Sequence, residues 1–122
     1  MRVVIFLRAE GWGARQLAVS LSLTAAAFGD EVHLALFGEP LRLFLADRFD
    51  EGAPPEAAPS RVGSLSVELG EGRRELGIRV VACDTALRLI GADPARASPP
   101  LDAVTSLPSL WRLAQDGRAL TV

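Results

Sequence analysis

One sulfur, one imidazole and a handful of carboxylates confine the chemistry open to this chain. Cys83 is the only cysteine, and it closes the apolar run Ile78–Cys83. Asp84-Thr85 follows at once and reads as a helix start. A sulfur placed there lies near backbone N–H groups and the positive end of a helix dipole. That setting favours the thiolate, the form that attacks sulfur and carbon electrophiles. Free cysteine is also among the most buried residue types and packs as a small hydrophobe. The neighbouring Asp84 carboxylate disfavours a second negative charge. Both roles of Cys83, nucleophile and core residue, stay open at this level.

The rest of the composition removes whole reaction classes. A single cysteine excludes an intrachain disulfide, a Cys-x-x-Cys pair and a multi-cysteine zinc site. His33 is the only histidine, so His-x-x-x-His metal spacing is absent. All thirteen basic side chains are arginine, which removes lysine Schiff bases and the Walker lysine. No cofactor and no metal is implied. Glu10, Glu39 and Asp84 fall at predicted strand ends, where a carboxylate either assists proton transfer or caps a helix. Gly11-Trp12-Gly13 occupies the position of a phosphate loop, yet neither G-x-G-x-x-G nor G-x-x-x-x-G-K is present. It reads as a turn that sets Trp12 at the rim of a sheet or in a subunit contact. His33 lies inside a strand, on the face opposite Val32 and Leu34, and reads as a structural histidine.

Strands and helices must carry these residues. Arg2–Leu7 is a continuous β-branched and aromatic run, the pattern of a strand buried on both faces. A helix is predicted over Ala14–Phe28, with Leu17, Leu21, Thr24 and Phe28 in helical register and Gly29 as its stop. Val32–Phe37 is the second strand, and Gly38-Glu39-Pro40 opens a helix running to about Phe49. Asp50–Ser60, with three prolines, reads as a surface loop. Between Arg61 and Leu76 a helix is predicted over the second half only, because Gly63, Gly70 and Gly72 oppose it. Ile78–Cys83 is the third strand, and a short helix capped by Asp84-Thr85 runs to Ile90. After the proline-rich connector Ala92–Pro100 come a strand at Leu101–Thr105, a helix from Ser106 to about Gln115, and a strand at Arg118–Val122.

The alternation implies one α/β domain over residues 1–122: a three-layer, doubly wound, mainly parallel sheet of about five strands with helices on both faces, flavodoxin-like in layout. In such folds ligands gather beyond the carboxyl ends of the strands, which here means Arg8–Gly13, Gly38–Pro40 and Cys83–Thr85. The length suits one domain, and 49% hydrophobic with 23% charged residues suits a globular one. The apolar runs are too short or too interrupted to cross a bilayer, and no secretory signal pattern follows Met1, so the cytoplasm is the expected compartment and no membrane the expected partner. A net charge of −2 with scattered arginines gives no attraction to phosphate backbones, and nucleic acid is not an expected partner. A nucleotide-binding or response-regulator relative would need a phosphate loop or a lysine, and this chain has neither.

The strand end Val80-Val81-Ala82-Cys83, preceded by Glu75-Leu76-Gly77-Ile78 and followed by a short helix, resembles that of the DsrE/DsrF-like sulfur-relay family. The wider layout is similar as well. An opening strand Val3–Leu7, a helix ending before Gly29-Asp30-Glu31-Val32, a strand ending at Phe37-Gly38 and a closing segment Ser109–Val122 extend the likeness over nearly the full length. The resemblance implies a sulfur carrier or sulfurtransferase, in which Cys83 accepts sulfane sulfur from a donor protein as a persulfide and passes it to an acceptor. It also implies a homo-oligomer, a trimer or hexamer. One cysteine suffices for such a carrier, since sulfur moves between proteins without a resolving thiol. In this chain Asp84-Thr85 stands where many sulfur-transferring members have a small, glycine-containing turn. A second expectation therefore stands beside the first: a non-catalytic oligomeric binding module of the same fold, with Cys83 buried as a structural residue.

Overall fold

The computed structural model describes residues 1–122. Five strands alternate with helices: β1 (Arg2–Leu7), α1 (Trp12–Ala27), β2 (Glu31–Leu36), α2 (Gly38–Leu45), α3 (Leu65–Glu75), β3 (Arg79–Cys83), α4 (Asp84–Leu89), β4 (Ala103–Thr105), α5 (Leu107–Gln115) and β5 (Gly117–Thr121). The sheet order is β4-β3-β2-β1-β5, and every neighbouring pair is parallel. The three-layer α/β architecture with helices on both faces is therefore present. No helix is long and apolar enough to cross a membrane.

The two faces of the sheet are covered unequally. Val3, Ile5, Leu7, Val32, Leu34, Leu36, Val80 and Ala82 point to one side and share a core with residues of α1, α2, α3 and α4. Val4, Ala35 and Val81 point to the other, where Leu110 and Ala114 of α5 form their cover. Because side chains alternate along a strand and neighbours in register share a face, each strand serves both cores. This explains why β1, β2 and β3 are predominantly apolar on both faces.

Several local expectations change, each for a packing reason. In α1 the buried face is Arg15, Ala18, Val19, Ser22 and Ala26, not the predicted Leu17, Leu21, Thr24 and Phe28. Leu17 is 48% exposed and Phe28 84%. Small residues win the inner face because α1 must approach both the sheet and α3 closely. α3 begins at Leu65, well before the expected start, because Ser64 caps it and the Asp50 carboxylate accepts from Ser64 Oγ and from the N–H groups of Leu65 and Ser66. Its glycines are there for contact. A Cβ on Gly72 would stand 2.7 Å from Ile78 Cδ1 and from Leu23 Cδ2, so the bare backbone lets α3 close on both. α2 stops at Leu45, four residues short of expectation, and Asp47 in the left-handed region turns the chain away. β4 is limited to Ala103–Thr105, because the Asp102 side chain instead accepts from the Val80 N–H and from Arg73.

Candidate functional site: an apolar groove at the carboxyl edge of the sheet

β3 delivers Cys83 to the carboxyl edge, one residue before α4 begins. The backbone of Cys83 is extended, and its Sγ accepts from the N–H of Ala86 at 3.3 Å. Cys83 is thus itself the cap of α4, the role expected of Asp84-Thr85. Asp84 lies in the first turn and pairs with Arg88 at 3.3 Å. With 5% of its surface exposed, Cys83 joins the larger core from its rim.

Above the sulfur runs a groove of about 420 Å³, lined by Phe37, Gly38, Cys83, Thr85, Ala86, Leu89, Ile90 and Leu107. Three chain segments build it: the β2–α2 junction, α4, and the first residue of α5. Gly38 takes φ +54°, a conformation open to glycine at little cost, and lets the chain turn from β2 into α2 beside the groove. Two side chains stand proud at the border, Leu89 at 82% and Leu107 at 52% exposure. No imidazole, guanidinium or carboxylate is part of this lining, so the groove offers shape and apolar surface with one thiol and one hydroxyl.

The other sequence-predicted rim residues gather elsewhere. Glu39 Oε1 accepts from the Gly11 N–H at 2.8 Å and from Arg15 Nη1 at 3.2 Å. Arg15, 1% exposed, also donates through Nε to the Phe49 carbonyl at 2.9 Å and through Nη2 to the Glu51 carbonyl. Its guanidinium stacks over the Phe49 ring. Trp12, half-buried, and Arg42 complete this polar pocket. Glu10 and Gly13 are exposed and enter neither group. The predicted rim therefore divides in two: Gly38, Cys83 and Thr85 meet in the groove, while Gly11, Trp12 and Glu39 meet around Arg15.

Arg15 carries the second group and is invisible to a reading that expects charge on a helix's outer face. The signal that finds it is its register with Ala18, Val19, Ser22 and Ala26, a stripe of small residues at helical spacing. Leu89 had a signal too. Ala86, Leu87, Leu89 and Ile90 are more apolar residues than one side of a six-residue helix can bury, so one must face outward.

His33 sits mid-strand on the α5 face, far from both groups in register, with Nδ1 buried and without a hydrogen-bond partner. Its Nε2 lies 4.0 Å from Glu31 Oε1. Burial lowers its pKa below the usual histidine value. Glu31 opposes that shift, and Arg79 and Arg2 add to it. The histidine is thus buried in the sheet as a structural residue, but the hydrogen bond expected of a structural histidine is missing from both ring nitrogens.

Comparison with known proteins bears on the fold. No protein-family model matches the chain, and no curated protein matches it. Among solved structures it is similar to MTH1491, a protein of unknown function from Methanobacterium thermoautotrophicum. The TM-score is 0.71 at 17% identity, over 99% of this chain and 98% of that one. A likeness at this identity carries the architecture and its end-to-end extent.

Proposed function

We propose that this chain is a non-catalytic binding and assembly module of the DsrE-like type, which uses the apolar groove beside Cys83 to take up an apolar group. The observation that carries the reading is the condition of the sulfur. Cys83 is nearly buried, its Sγ is engaged by the Ala86 N–H as a helix cap, and its surroundings in the groove are apolar apart from Thr85. Sulfur transfer asks for an approachable thiolate with a base or cation at hand. The sole imidazole lies mid-sheet on the α5 face, and the charged Arg15–Glu39 group belongs to a different pocket. Apolar walls with few polar atoms are what ligand grooves use to bind by shape. Assembly into a homo-oligomer belongs to the same proposal and draws on the sequence resemblance.

Sulfur relay through a Cys83 persulfide, with donor and acceptor proteins as partners, is the second reading. One observation favours it: Cys83 is a wall of a groove that opens to solvent. Incubation with a persulfide donor followed by intact-mass measurement separates the two. The module reading expects no adduct, together with a thiol that alkylates only after unfolding. A gain of about 32 Da for one added sulfur, abolished by Cys83→Ser, establishes the relay in its place.

A further inference from the structure

The face that holds the groove also holds what fits it. α4 turns Ala86 and Leu87 into the core and leaves Thr85, Arg88 and Leu89 outside, with Asp84 half-buried beside them. Leu89 projects from the border of the open apolar groove, and Leu107 at that border is followed one turn later on α5 by the exposed Trp111. A protrusion and a matching recess on one patch are the ingredients of a two-fold contact, in which the same surface meets its own copy.

The charges on α4 select how two such patches can meet. Asp84 and Arg88 lie one turn apart and both are substantially exposed, at 46% and 65% of their side-chain surface. In a parallel arrangement each would face its own kind across the contact. In an antiparallel one, around a two-fold axis level with Ala86, residues equidistant from Ala86 meet. Asp84 and Arg88 are each two positions away, so Asp84 meets Arg88 of the second copy. Cys83 and Leu89 are each three positions away, so Leu89 meets the groove over Cys83 of the second copy. One register thus sets unlike charges opposite one another, beside the Asp84–Arg88 pair each helix already makes at 3.3 Å, and fills both grooves.

We propose that the occupant of the groove is Leu89 of a second copy of this chain, in a two-fold contact between antiparallel α4 helices flanked by two Asp84–Arg88 pairs. This rests on the reading of the groove as a binding surface, and it makes each groove complete only when the second copy supplies its leucine. The flanking pairs set orientation, while the buried leucines supply most of the attraction.

Sedimentation of the full chain over a concentration series tests it. The expected wild-type mass is twice the 13.0 kDa of one chain, or a larger even assembly. Leu89→Arg and Asp84→Arg should each weaken the contact at least about tenfold, giving halved masses at unchanged far-UV dichroism. Asp84→Arg combined with Arg88→Asp in one chain should restore association, as should mixing the Asp84→Arg single variant with an Arg88→Asp single variant. A wild type that stays one chain at every concentration overturns the proposal, as does an assembly that Leu89→Arg leaves intact. Binding of the apolar dye anilinonaphthalene sulfonate then separates self-docking from the groove's capacity to bind. A one-chain wild type that binds the dye, and loses it on Thr85→Trp, retains a binding groove without self-docking. A one-chain wild type that binds no dye loses both.

Discussion

Two pockets open at the same end of the same sheet, and they are built on opposite terms. Around Arg15 the two central charges are both engaged. The guanidinium is shared among Glu39 and the carbonyls of Phe49 and Glu51, and Glu39 also holds the Gly11 N–H. These bonds tie α1, α2 and the turn after α2 into one unit. Beside Cys83 there is one polar contact, from the Ala86 N–H to the sulfur, and the remaining walls are apolar apart from Thr85. The charged pocket resembles a catalytic site at first sight, yet its central pair, Arg15 and Glu39, is committed to holding the backbone. The apolar pocket has little chemistry, yet its walls open to solvent. Charge at a sheet's rim is thus not in itself a mark of function; what matters is whether its partners come from the protein.

The contrast can be tested by removing each pocket's central residue. Arg15→Ala carries the largest expected effect. It strands Glu39 and two carbonyls beneath the rim, and a loss of about 3–5 kcal/mol is expected from the midpoint of urea unfolding. A loss under about 1 kcal/mol would show the guanidinium network to be dispensable. In the apolar pocket Cys83→Ala should cost about 1 kcal/mol, the value of a helix cap, while Cys83→Ser should retain most of it because a hydroxyl accepts the Ala86 N–H equally well. Equal losses for the two variants would exclude the capping role.

The smallest effect belongs to His33, which lies outside both pockets. Its pKa is lowered in the folded chain, so the unfolded chain binds the proton more readily. Stability is therefore full above the ordinary histidine value of about 6.5 and declines as pH falls from there through the lowered folded value. His33→Gln should flatten this part of the profile. A further decline at more acid pH belongs to Asp50 and Asp102. Burial raises their pKa values, but hydrogen bonds outweigh it, from Ser64, Leu65 and Ser66 in the first case and from Arg73 and Val80 in the second. That acid limb should persist unchanged in the histidine variant.

Much of the layout was legible from residue order. β1, β2 and β3 are long apolar runs whose burial on two faces demands a parallel sheet, and Gly29, Gly77 and Gly91 mark turns that a positive φ requires. The position of Cys83 at a strand end was legible for the same reason. The inner face of α1 was not. Periodicity ranks residues by hydrophobicity, and Leu17 and Phe28 outrank Ala18, Ser22 and above all Arg15. The choice between faces depends on how closely α3 and the sheet approach, which no local window records. α3 shows the same limit, since Gly70 and Gly72 weaken a helix in isolation yet Gly72 permits the contact with Leu23 and Ile78 that holds it in place.

Periodicity and punctuation are local quantities, and they were enough to specify the alternation of strands and helices, the parallel sheet and the placing of one sulfur at its carboxyl edge. The division of the rim into a charged pocket and an open apolar groove arises from residues brought together across 36 positions of chain between Arg15 and Glu51 in the first, and across 70 between Phe37 and Leu107 in the second. Whether a carboxylate is bonded or free, and whether a cysteine is a cap or a nucleophile, depends on distances of a few ångströms between such residues, and those distances exist only once the layers have packed.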